Sequence, residues 1–193
     1  MHRMIERARQ EEGFTLIELM VVVAIIGICA ALTVRSFTKN PTGEGARKMA
    51  SMMATANRTA VGGGPVRSDV VDALGNPIKS RAQLEILQTS GQVLINVYLL
   101  VENPLPAHDS VWTLVSTEIL SPDVEVYAVA TTVAIDPGST PAATALPTTK
   151  LYYPDGTADA MEIFLKHRTN NAATRYRVLG MPLNPVPQVF QDW

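Results

Sequence analysis

The 193 residues suffice for one ordinary domain plus a membrane anchor, and 47% of them are apolar, enough for a real core. A formal net charge of -2 gives no electrostatic ground for a nucleic-acid partner. The one cysteine, Cys29, excludes an intrachain disulfide and any CxxC metal or redox motif.

Residues 1–13 are short and polar, with Arg3, Arg7 and Arg9. They read as a cytoplasmic leader rather than part of a fold. Phe14 to Val34 is almost wholly apolar, and as a helix it spans roughly 30 Å, about the hydrocarbon thickness of a bilayer. Arg35 and Lys39 mark its exit. Basic residues flank both ends, so charge alone does not orient the segment.

Glu18 is the anomaly, lying between Ile17 and Leu19 inside the apolar run. A carboxylate in hydrocarbon costs a few kcal/mol, so it needs a partner or a proton. One reading is a harmless charge snorkelling to the headgroups. The neighbouring residues favour another. Gly13-Phe14-Thr15-Leu16-Ile17-Glu18, followed by Leu19-Met20-Val21-Val22-Val23-Ala24-Ile25-Ile26-Gly27, closely resembles the type IV prepilin signature. The resemblance implies cleavage between Gly13 and Phe14 by a prepilin peptidase and N-methylation of the new Phe14 amine. It also implies a retained membrane helix carrying Leu16, Ile17, Leu19, Met20, Val21, Val22, Val23, Ile25 and Ile26. Glu18 would then pair with the terminal amine of a neighbouring subunit and set the axial register of a filament. Two rival export readings remain, a lipoprotein site at Ile28-Cys29-Ala30 and signal-peptidase cleavage after Ala30. N-terminal sequencing separates all three.

Beyond the anchor, Pro41 with Gly43 and Gly45 predicts a helix break near 41–45. Helix is expected to resume, with Ala46, Met49, Ala50, Met53, Ala56 and Ala60 on one face against a sheet. Arg47, Lys48, Ser51, Thr55 and Arg58 take the other face. Gly62-Gly63-Gly64-Pro65 ends it, with no Lys-Ser/Thr to suggest a phosphate loop. Strands are expected at 83–88, 92–101 (central), 111–119 and 124–135, then a long loop at 136–149. Lys150 to Tyr153 and Asp159 to Lys166 read as a hairpin about Pro154-Asp155-Gly156. Arg175 to Leu179 reads as a further strand, and the proline-rich tail from Met181 has no clear pattern.

The domain plan is therefore a cleaved leader at 1–13, a transmembrane and filament-core helix at 14–35, its periplasmic continuation at 36–62, and a β-rich domain at 63–193. The fold class is α+β, a long N-terminal helix followed by an antiparallel, two-sheet periplasmic domain. Helix, antiparallel strands and a late Tyr-Pro-Asp-Gly turn resemble the H-type pseudopilins and FimT/FimU-like minor pilins. That resemblance implies a minor subunit of a type II secretion pseudopilus, assembled at an inner-membrane platform for protein export. Alternatives are a minor pilin of a type IV pilus or an adhesive ectodomain on a pilin anchor. His2, His108 and His167 stand apart from one another, and Asp155 and Asp159 are too few for a calcium cage. No catalytic residue, metal or cofactor is nominated, and an enzyme is disfavoured.

Overall fold

The computed structural model describes residues 15–36, 40–72, 74–102, 110–131, 146–170, 173–184 and 186–191, with the backbone alone for 31–36. The leader, Phe14, His2, His108 and loop residues 136–145 lie outside the described residues. The chain divides into two units, 1–39 and 40–193.

Among the described residues the first unit holds one helix, α1 (Leu16–Ser36). Its apolar residues follow one another without a polar face, so no side of it is amphipathic. The second unit holds α2 (Pro41–Gly62) and eight strands. In order these are β1 (Ala82–Thr89), β2 (Gln92–Glu102), β3 (Ser110–Ile119), β4 (Val124–Ala130), β5 (Thr148–Tyr152), β6 (Met161–His167), β7 (Tyr176–Gly180) and β8 (Gln188–Gln191). They form two four-stranded sheets, β3-β2-β1-β5 and β4-β6-β7-β8, and every pairing is antiparallel. The architecture is α+β with two antiparallel sheets, and β2 is interior as its apolar sequence predicts.

The break expected near 41–45 is not there. Pro41 opens α2 instead of interrupting a helix. Its fixed φ suits a first helical position, where a missing N–H costs nothing. Asn40 supplies the cap, its Oδ1 accepting from the Gly43 N–H at 2.9 Å while its Nδ2 donates to the Tyr176 hydroxyl at 2.8 Å. The same unit therefore contains α2 as well as the sheets, and its boundary falls before Asn40 rather than after Gly62.

The helical periodicity places the α2 core face correctly. Ala46, Met49, Met53, Ala56 and Ala60 are buried, Ala50 is half-buried, and Met52 joins them. They pack with Leu84 and Ile86 of β1, Val93, Ile95 and Val97 of β2, and Ile163, Leu165 and Val178 of β6 and β7. One helix face thus fills the core for both sheets. Unbranched methionine suits that task because it adapts to irregular gaps.

The hairpin expected at 150–166 is corrected as well. Its turn forms as read: the Gly156 N–H donates to the Tyr153 carbonyl, and Gly156 has φ +85°, which favours glycine. But β5 pairs with β1 in one sheet and β6 with β4 and β7 in the other. Between the two arms the ladder shrinks to the isolated bridge Tyr152↔Ala158, beside which the Asp159 N–H donates to the Leu151 carbonyl. The segment is a crossing between sheets. Lys150 holds it there, its Nζ donating to the Asp159 carbonyl and to the Gly180 carbonyl at the end of β7.

Further differences are smaller. β4 runs to Ala130, residues 132–135 of the expected strand lie outside the described residues, and β5 begins at Thr148, inside the expected loop. The tail contains β8, paired with β7. At the far end Arg168 clamps the two sheets, donating to the Gly91 carbonyl of the β1–β2 turn and to the Pro122 carbonyl before β4.

The buried Lys150 yields a pH prediction. Burial pushes its ammonium down to about 8 from the usual 10.5, with the Asp159 carboxylate opposing. In the unfolded chain the proton stays on until about pH 10.4. Between pH 8 and 10 the unfolded state therefore binds more protons, and stability from this residue rises with pH. Below pH 8 both states are charged, and the cost of burial is constant, on the order of 3 kcal/mol. Above pH 10 the buried Tyr152 hydroxyl, held above its usual range by burial, reverses the trend. Thermal unfolding of the full chain in detergent is expected to gain on Lys150→Met below pH 8 no advantage with pH, and to gain steadily from pH 8 to 10. Parallel curves for the two proteins across that window would contradict the burial cost.

Candidate assembly site at the start of the first helix

Glu18 is the only charged residue between Thr15 and Ala30. Its placement follows from the local sequence. Thr15-Leu16-Ile17-Glu18 has the Ser/Thr-x-x-Glu spacing of a capping box. Thr15 stands before the first helical residue, and its carbonyl accepts the first helical bond from Leu19. The Glu18 N–H donates to Thr15 Oγ1 at 3.3 Å. In return Glu18 Oε2 accepts from the Thr15 N–H and from Thr15 Oγ1, both at 2.9 Å. These bonds satisfy orphan donors at the helix start, and a negative charge there suits the helix dipole.

Both accepted bonds fall on Oε2. Among the described residues Oε1 takes no hydrogen bond, so the carboxylate keeps one oxygen for a second donor. The capping role of Thr15 is absent from the motif-based reading of this segment. The signal for it was present in the spacing of Thr15 and Glu18 before an apolar run.

The expected membrane-helix residues, Leu16, Ile17, Leu19, Met20, Val21, Val22, Val23, Ile25 and Ile26, all lie on α1 and are 48% to 77% exposed. Consecutive exposed apolar side chains of this kind mark a surface that lipid or other helices cover. Among the described residues no helix is long and apolar enough to cross a membrane. The part of α1 with described side chains, Leu16–Ala30, rises about 22 Å, short of a hydrocarbon core of about 30 Å. Gly13 and Phe14 lie outside the described residues.

The other candidates have local roles. Asp155 Oδ1 accepts from Thr157 N and Oγ1, and Asp159 accepts from the Leu151 N–H and the Tyr153 hydroxyl. His167 Nδ1 accepts from the N–H groups of Thr169 and Asn170. Gly62 to Gly64 close α2, with the Gly63 N–H donating to the Thr59 carbonyl. Cys29 is exposed on α1.

Residues 8–34 match the family profile described as the prokaryotic N-terminal methylation motif. The chain carries the type IV pilin-like signal. The signal indicates a type IV pilin-like or pseudopilin-like protein, a structural class rather than a catalytic one. It implies assembly with other pilins and processing by prepilin peptidase, and it is typical of membrane-anchored pilins. The match stops at Val34 and includes no part of the β-rich unit. No curated protein and no solved structure shows significant similarity to the chain.

Proposed function

We propose that this pilin-like chain is a minor subunit of a type II secretion pseudopilus. Prepilin peptidase cuts between Gly13 and Phe14, and the Phe14 amine is methylated. The mature chain is held in the bacterial inner membrane by a single helix, with the β-rich unit in the periplasm. Ala31, Leu32, Thr33 and Val34 extend the apolar run of Leu16–Ala30, bringing 14–34 to roughly 30 Å, one bilayer. From the bilayer the chain enters a filament alongside other pilins, at an inner-membrane assembly platform.

The observation that carries this reading is Glu18 within the apolar helix. A lone carboxylate there is tolerated if a partner neutralises it. The Phe14 amine of a neighbouring subunit is of the right sign, and Oε1 is open to it. The minor, H-type assignment rests on the order of a helix followed by two antiparallel sheets, which suits that group. Nothing in the charge balance calls for nucleic acid or a cofactor.

Deleting the gene and assaying export against pilus functions tests the choice of system. Loss of protein export, with surface pili and motility intact, is the expected result. Loss of twitching, adhesion or DNA uptake with export intact would place the chain in a type IV pilus instead.

A further inference from the structure

Lys150 has a place in the interior beyond its contacts to the crossing segment. Together with Asn57 of α2 and Tyr152 of β5 it lines a small cavity of about 10 Å³, with Met53, Gly180 and Asn184 among the other lining residues. Lys150, Tyr152 and Asn57 are each more than nine-tenths buried, at 1%, 3% and 7% exposed. An ammonium has three donors. Two of them go to the Asp159 and Gly180 carbonyls. Asn57 Oδ1 and the Tyr152 hydroxyl have no hydrogen-bond partner among the described residues. A buried polar atom left so costs about 1–3 kcal/mol. Two such atoms beside an ammonium with a donor to spare therefore point to an occupant.

We propose that this cavity is a binding site for one water molecule, held by Lys150, Asn57 and Tyr152, which ties α2 to the crossing between the two sheets. Size decides first. A water needs on the order of 10–15 Å³ of such space, so one fits and an organic ligand does not. Chemistry decides next. The occupant must accept from the ammonium and donate to Asn57 Oδ1, and the Tyr152 hydroxyl can take either role. Water does both, and about three bonds is its usual number in protein interiors. A metal cation meets the Lys150 charge. A halide meets Asn57 Oδ1 and the two carbonyl oxygens already gathered at Lys150.

The test is crystallography on the full chain in detergent, from chloride and from bromide solutions, at a resolution that shows ordered water. One peak within hydrogen-bond distance of Lys150 Nζ and Asn57 Oδ1, with no anomalous bromide signal, is expected. An empty cavity or an anomalous peak there would overturn the proposal. Asn57→Leu puts a side chain of similar size but no acceptor at the site, and is expected to lose the peak. Tyr152→Phe leaves two of the three partners and is expected to keep it. Persistence of the peak in the leucine variant would equally count against the assignment.

Discussion

Glu18→Leu is expected to be cleaved after Gly13 like the unaltered chain, yet to enter filaments at least about tenfold less often, a change that needs only about 1.4 kcal/mol. The pairing it removes is of ample size. Opposite charges about 4 Å apart attract by about 1 kcal/mol in water and about 4 kcal/mol at an effective dielectric near 20. Desolvation takes back part of that, because both groups leave water. The structure adds a second role that leucine would also remove, the capping box with Thr15. Two further variants separate the roles. Glu18→Gln keeps an acceptor for the Thr15 N–H but has no charge, and it is expected to fail in assembly as leucine does. Thr15→Val loses the hydroxyl of the cap, worth about 1 kcal/mol of helix start, but keeps the carboxylate. It is expected to assemble. Filaments holding Glu18→Gln at the unaltered level would show that the cap, not the charge, is what assembly requires.

Arg177→Met is expected to destabilise the β-rich unit by about 3 kcal/mol, a fall of roughly 6–12 °C in melting temperature. Glu162 on β6 is fully buried, and Arg177 Nη1 on β7 lies 3.1 Å from its Oε1. The contact is an ion pair whose angle falls short of a hydrogen bond. The guanidinium also lies over the Phe190 ring, 4.8 Å from its centroid, and so joins β7 to β8. An exposed pair such as Lys48 with Glu118, both more than a third exposed, contributes about 0–1 kcal/mol at most. The buried pair differs because removing the arginine leaves a carboxylate in the interior without this counter-charge. The double variant Glu162→Leu with Arg177→Met removes both charges and is expected to recover most of the loss. Melting curves that place Arg177→Met within about 1 kcal/mol of the parent would mean that the pair behaves as a surface contact.

The N-terminal signal was legible because it is one-dimensional. A long apolar run and one acid inside it need no tertiary information. The α2 core face was legible for a similar reason, since Ala46, Met49, Met53, Ala56 and Ala60 recur at helical spacing. The start of α2 was misplaced because Pro41 was weighed as a breaker, while Asn40 before it marks a cap. The crossing at 150–161 was hidden for another reason. Turn chemistry at Pro154 and Gly156 is local, but the sheet that each arm joins depends on distant strands. β1 claims Thr148–Tyr152, and β4 and β7 claim Met161–His167. In β6 Met161, Ile163 and Leu165 alternate along one face and are buried. Glu162 and Phe164 on the other face are buried too, which alternation alone does not foretell. β8 escaped notice because Pro182, Pro185 and Pro187 precede its four residues. At the site itself, sequence nominated Glu18, and the structure added Thr15 as the residue that holds its Oε2.

Mass spectrometry of the mature protein, purified from its own membranes, addresses the processing event on which assembly depends. The expected product begins at Phe14 and carries one methyl group on the terminal nitrogen. A product that begins at Cys29 with attached lipid, at Ala31, or at Met1 would contradict the account, because Glu18 would then be removed or, with Met1 retained, stand far from the terminal amine.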